Sequence, residues 1–225
     1  MKHTRPILSA AVGACALFSA VTATAGGGYA YEVTITNLTR GQTFTPILVA
    51  SHKRGVRLFE AGQPASDALA AMAEGGDTGP LEMQLEDSGR LVDTGSSGGL
   101  LGPGETVTVH VDAGHGAREI SLAGMLIPTN DGFMALNGAR APRGHRTLTY
   151  WVPAYDAGTE PNDELCVSIP GPVCGGEGGS PGADGEGYVH IHAGMHGIGD
   201  LAPADYDWRN PVAKVTIRRA RAADD

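Results

Sequence analysis

Three acids stand beside turn residues in two stretches where an apolar run gives way to a loop. Asp131 lies in Met-Leu-Ile-Pro-Thr-Asn-Asp-Gly-Phe (125–133), and Asp156 and Glu160 lie in Tyr-Asp-Ala-Gly-Thr-Glu-Pro-Asn-Asp (155–163). Carboxylates placed by turns at strand ends make sites for hard cations, because calcium gathers roughly six to eight oxygens from carboxylates, backbone carbonyls and water. If both loops sit at one end of a β-sandwich, Asp131, Asp156 and Glu160 offer three carboxylates to one ion. The plainer reading is that these acids solvate turns, where Asp and Asn are common.

A second group is His190, His192 and His196. On a strand, His190 and His192 share one side and Ile191 takes the other. Two imidazoles on one face, with a third from the following loop, suit zinc or copper. The alternative is the polar outer face of an edge strand, with one ring hydrogen-bonded to a nearby acid.

Two further patterns point toward hydrolysis. Leu91-Val92-Asp93-Thr94-Gly95-Ser96-Ser97 resembles the Asp-Thr-Gly-Ser motif of aspartic proteases. That chemistry needs two carboxylates sharing one proton. The nearest second copy, Asp87-Ser88-Gly89, lies too close along the chain to face the first across a cleft, which leaves a homodimer with one Asp93 per chain. The turn-rich stretch that follows favours a solvated loop here. Gly95-Ser96-Ser97-Gly98-Gly99 fits Gly-x-Ser-x-Gly, but a nucleophile elbow sits between a strand and a helix, and Leu100-Leu101-Gly102-Pro103-Gly104 makes no helix. Asp200, Asp205 and Asp207 either approach the acidic loops or decorate a turn.

The elements that must position these groups are mostly strands. Residues 31–38 alternate apolar and polar, as a half-buried strand does. Residues 43–51 form a second strand, with Pro46 marking an edge or bulge. Residues 106–111 alternate again, with Val107, Val109 and Val111 to one side. Residues 119–127 and 147–152 are strands feeding the two acidic loops, 188–192 is a short strand, and 212–219 closes the sheet. One helix is expected over 66–74, capped by Ser66 and ended by Gly75-Gly76. The stretch 75–104 reads as loop-rich with a short strand near 81–85, and 170–187 as a long exposed loop. Short strands, frequent turns and one inserted helix imply an antiparallel β-sandwich.

Residues 1–25 read as a secretory signal. Lys2 and Arg5 precede an apolar run, and Ala23-Thr24-Ala25 offers a small-x-small cleavage site. Val12-Gly13-Ala14-Cys15 is the competing lipoprotein reading. No later stretch reaches the ~20 apolar residues that span a bilayer. Residues 26–225 are then one exported domain. Cleavage removes two basic residues and no acid, leaving 14 basic against 25 acidic residues, a balance of −11. That excludes a general nucleic-acid binder, which needs a basic face. Gly supplies 34 of 225 residues, about twice the usual share, which calls for many turns. Without Cys15, the remaining pair Cys166 and Cys174 reads as a disulfide in an exported chain, ahead of a redox or metal-binding pair.

The Met-Leu-Ile-Pro-Thr-Asn-Asp-Gly-Phe stretch, followed by Pro-Ala-Tyr-Asp-Ala-Gly-Thr-Glu, resembles the paired signature of the spondin domain, the amino-terminal module of F-spondins and their bacterial relatives. Tyr-Glu-Val-Thr-Ile-Thr-Asn-Leu-Thr (31–39) and Tyr-Asp-Trp-Arg-Asn-Pro-Val-Ala-Lys-Val-Thr-Ile (206–217) fit as well. The resemblance implies an all-β antiparallel sandwich of the C2-like type and a calcium ion held by an Asp after the Met-Leu-x-Pro strand and two acids of an Asp-Ala-Gly-Thr-acid motif. The matching positions are Asp131, Asp156 and Glu160. The chain departs at Gly132, where animal members carry Trp, and at Glu160, where they carry Asp. The expectation is an exported, calcium-binding, non-enzymatic module with a binding or adhesion role toward an extracellular or cell-surface ligand. The competing class is a hydrolase, built on Asp93 or on a histidine-bound metal.

Overall fold

A computed structural model describes residues 28–179 and 185–221. The secretory or lipoprotein signal read at 1–25 lies outside the described residues, as do residues 180–184 of the long loop. In chain order the strands begin with β1 (Tyr29–Asn37), β2 (Thr43–Phe44) and β3 (Leu48–His52). Two helices follow, α1 (Asp67–Gly75) and α2 (Gly79–Asp87), and then β4 (Leu91–Ser96) and β5 (Thr106–Asp112). The rest comprises β6 (Glu119–Ile127), β7 (Gly132–Arg140), β8 (Thr147–Val152), β9 (Ala154–Asp156), β10 (His190–Ile191), the single turn α3 (Pro203–Tyr206) and β11 (Ala213–Arg221).

The strands form two antiparallel sheets. One has the order β5-β1-β11-β8, and the other has the order β10-β9-β7-β6-β3-β4 with β2 attached to β6. This is the all-β sandwich the sequence implies. β1 alternates buried and half-buried positions because only one of its faces meets the core. β6 is buried at all nine positions, because its sheet is covered on both sides. Ile120, Leu122 and Leu126 face the other sheet with Val33, Ile35, Val215 and Ile217. Ala123 belongs to a second apolar cluster with Leu69, Met72, Leu81 and Leu85 of the helices. A strand with helix on one side and sheet on the other reads as a continuous apolar run.

α1 follows its sequence signals. Ser66 accepts a hydrogen bond from the Leu69 N–H at 3.2 Å, and Gly76 ends the helix in a left-handed conformation, φ 72°. Other segments differ from expectation. The strand expected near 81–85 is helical: Pro80 starts α2, and Leu81 and Leu85, one helical turn apart, are its buried residues. The sandwich therefore carries more than the one inserted helix. The stretch 91–97, read as a loop, forms β4, paired with β3 through Ser51↔Asp93, Ala50↔Thr94, Val49↔Gly95 and Leu48↔Ser96. The single strand expected over 43–51 is broken at Pro46 into β2 and β3, which pair with β6 in succession.

Candidate metal centre

Asp131 and Asp156 meet because β7 pairs with β9 in the register Gly132↔Asp156. The acid that precedes Gly132 thus lies beside the acid that ends β9. Thr129 shapes the first loop: its hydroxyl donates to the Leu126 carbonyl at 2.5 Å and accepts the Gly132 N–H at 3.0 Å. A Cβ at Gly132 would come within 2.7 Å of Thr129 Oγ1 and 2.9 Å of His192 Cδ2. The His192 ring fills the space beside position 132, which leaves no room there for a side chain.

Gly158 organises the second loop. With φ 68°, it lets the backbone of Tyr188 approach so closely that a Cβ would stand 2.3 Å from the Tyr188 carbonyl oxygen. The Gly158 carbonyl accepts the Gly187 N–H at 2.8 Å, and β10 pairs with β9 as His190↔Asp156. The glycine of the Asp-Ala-Gly-Thr motif thereby brings Glu186 and His190 against Asp156.

All three expected acids, Asp131, Asp156 and Glu160, are buried. Asp131 Oδ2 accepts the N–H groups of Thr159 (2.8 Å) and Glu160 (3.1 Å) and the Thr159 hydroxyl (3.2 Å). Its Oδ1 has no hydrogen-bond partner among the described residues. Asp156 Oδ1 accepts the Gly158 N–H at 2.8 Å, and Oδ2 accepts the Asn162 side-chain amide at 2.6 Å. Among the described residues no Lys or Arg forms an ion pair with either acid. Burial pushes the Asp131 carboxyl above the usual carboxylate range, against the pull of its hydrogen bonds. Burial and the neighbouring Asp131 push Asp156 up to about 6.

His190 and His192 both turn toward Asp156, as the strand alternation predicts. His190 Nε2 lies 3.5 Å from Asp156 Oδ1 and 3.8 Å from Glu186 Oε2, and His192 Nε2 lies 4.0 Å from Asp156 Oδ2. Burial lowers the His190 pKa, but the Ile191 carbonyl and the carboxylates of Asp156 and Glu186 outweigh it and raise it overall. His192 is pushed down to about 4, by burial first and then by the neighbouring His190 and His196. The His196 ring is exposed, and its backbone is what the fold uses. Glu164, buried at φ 58°, accepts the N–H groups of His196, Gly197 and Ile198. Among the described residues, the three ligand atoms that lie within 4.8 Å of one another belong to Asp156, Glu186 and His190. That group shares Asp156 with the expected acid trio and His190 with the expected histidine trio. Glu186, Asn162 and Glu164 were not singled out by the sequence. Glu186 in particular sits in a Gly-rich loop that carries no signal.

The remaining candidates have structural roles. Asp93 Oδ2 accepts the Asp112 N–H at 2.7 Å, tying β4 to the other sheet. Gly95 lies so close to that sheet that a Cβ would meet Val109 Cγ1 at 2.9 Å. Ser97 Oγ accepts the Ile47 N–H at 2.8 Å, and no helix follows it. Asp200 accepts the Cys166 N–H at 2.9 Å, Asp207 accepts the Met195 N–H at 3.1 Å and pairs with Arg209, and Asp205 is exposed. Cys166 and Cys174 form a disulfide. No helix among the described residues is long and apolar enough to cross a membrane.

A search of curated proteins finds no match. A family model described as Spondin_N matches residues 35–162, a stretch that contains Asp131, Asp156 and Glu160 and stops short of Glu186 and His190. Since that match covers more than half of the 225 residues, the chain belongs to the Spondin_N family, an extracellular-type domain.

Proposed function

We propose that this chain is an exported calcium-binding β-sandwich module that acts as a non-enzymatic binding or adhesion domain outside the cell or at its surface. The observation that carries the reading is the Asp131–Asp156 pair: two buried carboxylates side by side, one with an Oδ1 that finds no hydrogen-bond partner among the described residues, and, among those residues, no Lys or Arg paired with either, only the His190 and His192 imidazoles beside Asp156. Burying an acceptor or a charge without compensation is costly, and a hard divalent cation is what carboxylate oxygens of this kind accommodate.

The donor set fits calcium. Three hydrogen bonds to Asp131 Oδ2 fix the carboxylate and leave Oδ1 toward the ion. Asp156 would supply the second carboxylate, with its orientation held by Gly158 and Asn162. Glu160 is the third candidate: it is buried and its backbone N–H donates to Asp131. When bound, the ion supplies positive charge that ties the 128–132 loop to the 157–160 loop. The non-enzymatic part rests on Asp93 and Ser97, whose polar atoms serve the backbone of neighbouring strands.

The test is thermal unfolding of the mature protein in millimolar calcium, in magnesium and in EDTA. The melting temperature is expected to rise with calcium, as RT ln(1 + [L]/Kd) requires of a ligand bound only by the folded state. It should rise less with magnesium, which demands tight octahedral geometry. Asp131→Asn should abolish most of the rise, and the exposed Asp205→Asn should leave it intact. Equal melting temperatures in calcium and in EDTA would sink the proposal.

A further inference from the structure

The geometry points to a second, chemically different cation site: Asp156, Glu186 and His190 form a three-ligand centre for a borderline-soft divalent ion of the zinc class. Two of its three ligands lie beyond the stretch matched by the family model; it shares Asp156 with the proposed calcium site but does not require calcium to be bound.

The hydrogen bonds define the donor atoms. His190 Nδ1 lies 3.0 Å from the Ile191 carbonyl oxygen. A carbonyl can only accept, so Nδ1 carries the hydrogen, and in the neutral ring the Nε2 lone pair faces Asp156 and Glu186. Holding Nδ1–H on a backbone carbonyl is how proteins orient an imidazole that ligates through Nε2. A lone pair and two carboxylates facing one another repel unless a proton or a metal ion stands between them. Nε2 has no hydrogen-bond partner among the described residues.

The two acids are held for this arrangement. The Asn162 side-chain amide donates to Asp156 Oδ2 at 2.6 Å and to Glu186 Oε1 at 3.2 Å. One side chain thus occupies one oxygen of each carboxylate; Asp156 Oδ1, which also accepts the Gly158 N–H at 2.8 Å, and Glu186 Oε2 face His190 Nε2 at 3.5 and 3.8 Å. Bonds of about 2.1 Å in a tetrahedral zinc site place ligand atoms about 3.4 Å apart; the two distances from His190 Nε2 stand near that spacing, and all three donors lie within 4.8 Å of one another. The imidazole selects against calcium and magnesium, which prefer oxygen alone. Three protein ligands leave a fourth position, on the exposed Glu186 side, for water or a ligand group from a partner.

His192 gives a second, independent observation. Its side chain is only 3% exposed, and its Nε2 has no hydrogen-bond partner while pointing at Asp156 Oδ2 from 4.0 Å. Here the tautomer is the opposite one. The Gly194 N–H donates to His192 Nδ1 at 3.0 Å, so the hydrogen is on Nε2. His192 therefore does not ligate: it presents an N–H to the ligand Asp156 and acts as a positioning residue. The expected trio of His190, His192 and His196 resolves into one ligand, one positioning residue and one exposed ring.

The experiment is calorimetric titration of the EDTA-stripped mature protein with zinc chloride, paired with the visible spectrum after cobalt(II) addition. One saturable zinc per chain and the intense absorption of tetrahedral cobalt are expected. Glu186 is exposed, so Glu186→Gln should fold normally and weaken zinc at least roughly tenfold, and His190→Ala should weaken it further. Asp131→Asn should keep a saturable zinc site while removing the calcium-induced rise in melting temperature, which separates the two sites. Asp156→Asn should lose both. Absence of saturable zinc heat, or wild-type affinity in folded Glu186→Gln and His190→Ala, would overturn the proposal.

Discussion

The antiparallel pair β6 and β7 carries opposite chemistry at its two ends. One end, just beyond Ile127 and just before Gly132, holds Asp131 against Asp156 in full burial. The other end, about eight residues and roughly 25–30 Å away along the strands, holds Arg118 and Arg140. These two arginines line a cleft of about 760 Å³ together with Arg54, Arg143, Arg146 and Tyr31. None of these five arginines forms an ion pair among the described residues, yet the cluster needs no special provision. Exposed guanidiniums are solvated and screened within about 10 Å at ordinary salt. The acid end has no such recourse. Its charges are out of water, so they are stabilised by backbone N–H groups, by uptake of a proton, or by a bound cation. Like charges gathered in solvent cost little, and the same charges buried must be met by hydrogen bonds, a proton or a cation.

The largest test of that contrast is pH. Asp156 titrates near 6 in the folded chain and near 4 when unfolded. The folded state therefore keeps a proton that the unfolded state has released, and stability present below pH ~4 is lost as pH rises through about 6. His192, held down to about 4, works the other way: stability rises between pH ~4 and 6.5, because only the unfolded ring is protonated there. The two slopes offset in the wild type, so the informative quantity is a difference. In EDTA, Asp156→Asn should gain on the wild type as pH increases from 4 to 7, by up to about 3 kcal/mol. A pH-independent difference would mean that the acid end is already neutralised by groups of the protein.

Next in size is the covalent staple beside the acid end. Cys166–Cys174, with a sequence separation of eight, should stabilise by about 2–3 kcal/mol on the chain-entropy model. Denaturant unfolding of the Cys166→Ala, Cys174→Ala double variant should show that loss, and mass spectrometry of the native chain should find no free thiol. Smaller again is a steric pair of substitutions. Gly132→Ala drives a Cβ into Thr129 and His192 and should cost about 1–3 kcal/mol together with the calcium response. Gly144→Ala lies in the arginine-end turn, with φ 63° and nothing within 4 Å of the new Cβ. It should cost only the left-handed penalty, about 1 kcal/mol, and leave calcium binding unchanged. Equal losses, or a calcium response that survives Gly132→Ala, would show that His192 and position 132 are not in competition for space.

How far these features were legible depended on whether local pattern and tertiary contact agreed. β6 and β8 keep the bounds expected from sequence, because each is a run rich in apolar, β-branched or aromatic residues, buried throughout in β6 and buried or half-buried at alternate positions in β8. β4 was missed because Asp93-Thr94-Gly95-Ser96 has little strand propensity, and its extended form comes from pairing with β3 and the close approach that Gly95 permits. α2 was missed because Gly79-Pro80 reads as a turn, although the spacing of Leu81 and Leu85 was the available helical signal. At the site, the turns and the family resemblance single out Asp131, Asp156 and Glu160, and the structure buries all three and sets Asp131 beside Asp156. Glu186 could not, since only the contact between Gly158 and the 187–188 backbone brings it to Asp156. The alternation sets His190 and His192 on one face, and both turn toward Asp156; which ring nitrogen carries the hydrogen depends on whether a backbone carbonyl or N–H engages Nδ1, and no sequence pattern carries that.

The smallest effect separates the two ends most cleanly. Neutralising Arg143 and Arg146 together with Gln removes two members of a like-charged, exposed cluster. The expected gain is a few tenths of a kcal/mol at about 10 mM salt, where the screening length is about 30 Å. At about 0.5 M salt the charges no longer sense one another across the cleft, and the gain should vanish. Asp156→Asn removes a carboxylate penalised by burial first and by Asp131 second, in a site that the diffuse ion atmosphere does not screen, so its gain at pH 7 should persist across the same salt range. Measuring both variants in EDTA by urea unfolding at low and high sodium chloride therefore gives two slopes against salt. A gain for Asp156→Asn that collapses with salt as the arginine gain does would mean that the acid end is open to solvent ions, and the requirement for a bound cation would fall with it.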